Sequence, residues 1–197
     1  MHYVKKPKHT AILKEFTIVS EEEVLNEEKI IEASQSDPAQ FRVLYEKYYR
    51  AIFLFIYHKV DHKETAADLS SQTFLKALQH INRYEYRKLP FSAWLYRIAT
   101  NETMQFFRKN KKVRKVMIDD TLLSELQEPE APPDLEKLKM RLVKVIDTLK
   151  IDEVQLIELR FYEKKSFKEI GYILDITENN AKVKTYRLVE KLRKKMS

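Results

Sequence analysis

Apolar residues recur every three or four positions along most of this chain, the spacing of helices with one buried face. In "SDPAQFRVLYEKYYRAIFLFIYHKV" the stripe is Phe41, Leu44, Tyr45, Tyr48, Ile52, Phe55 and Ile56. The segment opens with a cap candidate, Asp37, and with Pro38 at the first helical position. A second helix is predicted in "KETAADLSSQTFLKALQHI", burying Leu75, Leu78 and Ile81. After a break at Leu89 and Pro90, "FSAWLYRIATNETMQFFRKNKK" sets Phe91, Leu95, Ile98 and Phe106 near one face of a third. Helical spacing resumes with Leu135, Leu138, Leu142, Val145, Ile146 and Leu149 and continues through "DEVQLIELRFY". "SFKEIGYIL" then opens with a capping box, Ser166 with Glu169 three residues on, and buries Phe167, Ile170 and Leu174. A short break at Asp175 and Ile176 leads to Thr177, a cap for the last helix, "ENNAKVKTYRLVEKLRKKM". The prediction is an all-α protein of two helical blocks.

The connector between the blocks, Asp119 to Glu136, carries seven acidic residues, three prolines and no cation. That composition makes a poor helix and predicts a mobile linker of opposite sign to its neighbours.

Composition narrows the function. The 197 residues are 44% apolar, enough for real cores. With 37 basic and 30 acidic residues the net charge is +7, which suits a polyanion such as nucleic acid or an anionic membrane surface. No run of about 18 apolar residues is present to span a bilayer, and the N-terminus does not read as a signal peptide, so the expected address is cytoplasmic, without membrane insertion. The absence of cysteine excludes disulfides, thiolate zinc sites and thiol nucleophiles. A single glycine, Gly171, argues against phosphate-cradling loops, which need several positions of close backbone approach. No cofactor is expected.

Two helices joined by a few residues, the second rich in cations, have the sequence form of a helix-turn-helix. Its second helix would present Glu178, Asn179, Asn180, Lys182, Lys184, Thr185 and Arg187 to a major groove. The amides and Arg187 can read base edges, whereas Lys191, Arg193, Lys194 and Lys195 can only neutralise phosphate. In the first block, Trp94, Tyr96, Phe106 and Phe107, with Tyr84, Tyr86 and Phe91 just upstream, are too many rings for one buried stripe, so some are expected to be exposed. Rings beside Arg97, Arg108, Lys109, Lys111 and Lys112 suit single-stranded nucleic acid, because bases stack on the rings while cations follow the backbone.

From about Ser20 onward the chain resembles a bacterial sigma factor of the extracytoplasmic-function (ECF) class of the sigma-70 family. The resemblance rests on "FRVLYEKYY", "ADLSSQTFLKAL", "FSAWLYRIATN" followed by "FFRKNKK", "LRFYEKKSFKEIGYIL" and "KVKTYRLVEKLRKKM", in order and in register. It implies an N-terminal tail at 1–19, sigma domain 2 at 20–112, an acidic linker at 113–134 and sigma domain 4 at 135–197. It also implies a function: binding core RNA polymerase through its clamp helices and flap, melting the promoter −10 element and reading the −35 element as duplex. The implied polymerase contact is Asp68, Ser71, Gln72, Phe74 and Leu75. The implied −10 surface is the loop Tyr84 to Pro90, with Tyr84 and Tyr86, and Trp94, Arg97, Asn101, Gln105, Arg108, Lys109 and Lys112. The −35 surface is the set already named on the last helix, including Lys191. The chain departs from the family pattern at Ser71, Gln72, Ala67, Gln105, Gly171 and Asp175. The connector would thread toward the polymerase active-site cleft, and members of the class are commonly restrained by an anti-sigma protein.

Two other classes compete. A free-standing helix-turn-helix regulator would explain the second block and the charge, but gives the aromatic and basic end of the first block no role. An enzyme would need a reactive centre. The nearest candidate is His58 and His62, at metal-ligand spacing, with Lys59 where a zinc protease would carry glutamate. No metal site and no catalytic residue are expected.

Overall fold

The computed structural model describes residues 21–110 and 148–196, together with 142 and 144–146. The acidic connector, the N-terminal tail and Lys112 lie outside the described residues.

Helix α1 (Glu21–Ser36) ends at Asp37, whose carboxylate accepts the Ala39 N–H at 2.9 Å. Pro38 then opens a 3-10 turn that runs into α2 (Phe41–Val60). The α2 stripe is buried except at Tyr45, which lies at the rim against the rings of Tyr49 and Phe74, 5.0 and 4.9 Å away. Asp61 terminates α2 in the left-handed conformation (φ 50°), its N–H bonded to the Tyr57 carbonyl. His62 caps α3 (Lys63–His80), its Nδ1 accepting the Thr65 N–H at 3.3 Å.

Helix α3 departs from the prediction. Leu75 is 55% exposed and Leu78 only half-buried; Ala66, Leu69, Ser70, Thr73, Phe74 and Ala77 form the buried face. Mostly small side chains let α3 pack against both α2 and α4. The Ser70 and Thr73 hydroxyls donate to the carbonyls of Ala66 and Leu69, so no polar group is stranded by that burial. Ile81 is buried, but in a 3-10 turn (Ile81–Arg83) beyond the helix.

The stripe of α4 (Phe91–Asn110) runs through Phe91, Leu95 and Ala99 to Phe107, leaving Ile98 and Phe106 half-buried at its edge. The buried Glu102 carboxylate is paired with Lys76 of α3 at 2.5 Å, which removes the cost of an isolated charge there.

In the second block α5 (Ile151–Ile157) widens into a π turn at Glu158–Tyr162 where a regular helix was expected. Helix α6 (Phe167–Leu174) has the predicted capping box at Ser166 and Glu169. Thr177 Oγ1 accepts the Asn180 N–H at 3.1 Å and caps α7 (Glu178–Met196). The α6–α7 corner requires a residue without a side chain at 171. A Cβ on Gly171 would lie 2.8 Å from the Ile176 carbonyl oxygen and 3.1 Å from the Glu178 nitrogen. Asp175 supplies the left-handed turn (φ 58°), a conformation that aspartate tolerates better than most residues.

The two blocks share one continuous core, with α4 packed on α6. The buried Lys59 ammonium on α2 pairs with Glu158 of the π turn, and Tyr96 Oη donates to Glu163 at 2.5 Å. Among the described residues no helix is long and apolar enough to cross a membrane.

Candidate nucleic-acid interface

The loop after α3 and the first turns of α4 border an open pocket of about 240 Å³, lined by Arg83, Tyr84, Glu85, Arg87, Trp94 and Arg97, with Tyr172 of α6 on its far side. Three guanidiniums and three rings face one space, together with the Glu85 carboxylate, which lies 3.5 Å from Arg87. The pocket's accessible lining is mostly polar, with ring edges beside cations, the two kinds of group that nucleic acids use. The Tyr84 ring lies 5.0 Å from Trp94 and 5.2 Å from Phe91, and Phe91 is 5.4 Å from Trp94, so the wall is a packed aromatic cluster. Burial pushes the Tyr84 phenol well up, and the nearby Glu27 carboxylate adds to the shift. The phenol is therefore a neutral hydrogen-bond donor at physiological pH.

The structure separates the −10 set by environment. Tyr86, Asn101, Gln105, Arg108 and Lys109 are exposed, Trp94 and Tyr84 are half-buried in the pocket wall, and Lys112 lies outside the described residues. Of the upstream and α4 rings expected to be partly exposed, only Tyr86 is open to solvent; Tyr96, Phe91 and Phe107 are core. Arg97 is engaged across the blocks: Nη1 donates to the Tyr172 carbonyl and Nη2 to Asp175, each at 3.0 Å, and the guanidinium sits 5.2 Å from the Tyr172 ring centroid.

On α3, Asp68, Ser71, Gln72 and Leu75 are exposed at i, i+3, i+4 and i+7, which places them on one helix face. Phe74 does not belong to that face. It is 3% exposed, packs edge-on against Phe41, and supports the helix from below.

On α7, Glu178, Asn179, Asn180, Lys182, Lys184 and Arg187 are exposed. Thr185 faces the core and donates its hydroxyl to the Ala181 carbonyl at 2.8 Å, so it cannot present that group to a base edge. Lys191 is held by Glu153 of α5 at 2.7 Å. Burial pushes the Glu153 carboxyl up, but hydrogen bonds from Lys191 and the Lys150 backbone, with both lysine charges, outweigh it and leave the group below its ordinary value.

Arg83 and Tyr172 line the pocket but were not among the residues selected from sequence. Arg83 was within reach, since it adjoins Tyr84 in the run "RYEYR". Tyr172 comes from the other block, and no local pattern links it to the loop. His62 is a helix cap, and His58 lies beside the buried Lys59; among the described residues no cluster of three metal-ligating side chains occurs.

Family models for sigma-70 region 2 and sigma-70 region 4 match residues 44–113 and 145–194. The chain is 31% identical over 168 residues to the ECF RNA polymerase sigma factor BldN of Streptomyces coelicolor, covering 83% of this chain but only 63% of BldN. It is 27% identical over 152 residues to the ECF sigma factor SigM of Bacillus subtilis, covering 76% of this chain and 91% of SigM. Two solved structures share the fold. CnrH, in complex with the cytosolic domain of CnrY, gives a TM-score of 0.56 at 17% identity, over 83% of this chain and 92% of CnrH. RpoE of Bartonella quintana, in complex with the anti-sigma factor NepR, gives 0.54 at 20% identity, over 79% and 96%.

Proposed function

We propose, from the premise that this chain belongs to the ECF class of the sigma-70 family, that it binds core RNA polymerase and directs promoter-specific initiation. The first block captures the opened −10 strand and the second reads the −35 duplex. The observation that carries this reading is the pocket of Arg83, Arg87, Arg97, Tyr84 and Trp94. A regulator that binds only intact duplex has no use for a cationic pocket walled by rings. A strand whose base has left the stack needs both features, because unpaired bases are held by stacking and edge hydrogen bonds.

The polymerase-binding surface in this reading is Asp68, Ser71, Gln72 and Leu75, an exposed leucine among polar groups on α3. The −35 surface is the solvent face of the first turns of α7. No covalent step is assigned to the chain. Its working partners are core polymerase and promoter DNA in the cytoplasm. An anti-sigma protein is a further partner, by analogy with RpoE, which was crystallised with one.

Co-elution with sigma-free bacterial core polymerase tests the reading without knowledge of the promoter. A one-to-one complex displaced by a competing sigma factor is the expected result. Failure of folded protein to bind, combined with equal affinity for forked and intact duplex DNA, would replace it with the free-standing regulator.

A further inference from the structure

Helix α1 lies N-terminal to the matched sigma-70 region 2, and none of the functional residues named above is on it. It nevertheless makes specific hydrogen bonds to both ends of the loop that walls the pocket. At the start of the loop, Gln35 Nε2 donates to the Ile81 carbonyl at 3.0 Å and to the Tyr84 carbonyl at 3.4 Å. At its end, Glu27 Oε2 accepts the Phe91 N–H at 3.3 Å. Glu27 is 7% exposed, and its other oxygen accepts from the Tyr48 hydroxyl and from Lys47 Nζ.

We propose that Glu27 and Gln35 are positioning residues for strand capture, with α1 acting as a splint that fixes the loop between Ile81 and Phe91; the inference rests on the strand-capture reading above. The Ile81 carbonyl already accepts the Tyr84 N–H at 3.0 Å, so Gln35 adds a second bond there, and side chains that satisfy the backbone groups of a loop select one conformation of it. The first N–H groups of a helix are likewise unsatisfied, and the helix dipole favours a carboxylate beside them. Glu27 thus sets where α4 begins. Phe91 packs against both Tyr84 and Trp94, so the placement of its backbone sets the pocket's aromatic wall. Gln35 acts at the other end on the backbone of Tyr84 itself.

The test uses the full chain and four measurements on Gln35→Met, Glu27→Ala and Glu27→Gln. These are hydrogen exchange of the amides from Tyr84 to Phe91, retention of a short fluorescent single-stranded DNA of mixed sequence, duplex DNA affinity, and co-elution with core polymerase. Gln35→Met and Glu27→Ala are expected to exchange faster across the loop and to weaken strand binding about tenfold, equivalent to ~1.4 kcal/mol. Duplex affinity and polymerase binding should stay unchanged. Glu27→Gln retains an acceptor for the Phe91 N–H and should recover most of the strand affinity. Unchanged loop exchange in both disruptive variants would overturn the proposal. So would accelerated exchange spread evenly over α2, α3 and α4, which is the mark of a merely structural role. If the wild-type chain retains no single strand, strand capture falls, and loop exchange alone decides: faster in Gln35→Met sustains the splint, unchanged removes it.

Discussion

Arg97 Nη2 of α4 lies 3.0 Å from Asp175 Oδ1, the residue that turns α6 into α7. The guanidinium that lines the loop pocket is therefore also the one that clasps the turn between α6 and α7. In the strand-capture reading proposed above, a phosphate and Asp175 compete for the same cation, so docking of the second block and occupation of the pocket oppose one another.

Asp175→Asn should raise affinity for single-stranded DNA by a few-fold. The carboxylate is largely exposed, so the ion pair is in the range of about 0.2–1 kcal/mol, and asparagine still accepts the left-handed turn. Fluorescence anisotropy with a labelled strand reads the effect. An unchanged affinity would take Arg97 out of the strand site.

The seam between the blocks should weaken as pH rises. Burial raises the Glu163 carboxyl above the ordinary glutamate range, against the opposing influence of the Tyr96 hydroxyl and of Lys165 and Lys59. The folded state then holds this proton more tightly than the unfolded chain, so from about pH 4.5 upward, through the raised folded value, each step in pH costs stability. Glu163→Gln should flatten this fall and raise the melting temperature at neutral pH, because the amide oxygen can still accept from Tyr96. Thermal melts across pH, wild type against variant, check it; parallel curves would show that Glu163 titrates as an ordinary exposed acid.

Gly171→Ala should destabilise the second block by about 1–3 kcal/mol, the usual range for overpacking. The added Cβ meets backbone at Ile176 and Glu178, which cannot swing aside as a flexible side chain could. Duplex DNA affinity should fall with it, since relief of the clash opens the α6–α7 angle. Calorimetry together with a duplex binding assay measures both effects.

Two lysines on one helix should behave differently. Lys184→Ala is expected to reduce the salt slope of duplex binding by about one unit, as loss of one phosphate contact does. Lys191→Ala should leave that slope nearly unchanged and cost about 0–1 kcal/mol of stability instead, because Lys191 is paired with Glu153. Binding titrations over a salt series separate them, and equal slopes would mean that Lys191 leaves Glu153 for phosphate.

The helices were legible in the sequence because period and capping agreed. Asp37, the Ser166 and Glu169 box, and Thr177 all make the hydrogen bonds their positions imply. Periodicity misled where burial depends on neighbours. Leu75 fits an apolar stripe yet faces solvent, while Ser70 and Thr73 are buried because their hydroxyls bond within the helix. The gathering of rings and cations on the loop was legible in the run from Tyr84 to Arg87. Tyr172, and the role of Gln35, were not, since contacts 46 residues apart or more leave no local trace.

A final consequence comes from the Lys59 and Glu158 pair sealed between the blocks. Parting the apolar side chains of this seam wets surface that water receives poorly, whereas parting the Lys59 and Glu158 pair returns two ions to a solvent that hydrates each of them strongly. Opening the joint at this pair is thus repaid in part by hydration, which opening it at its apolar side chains is not.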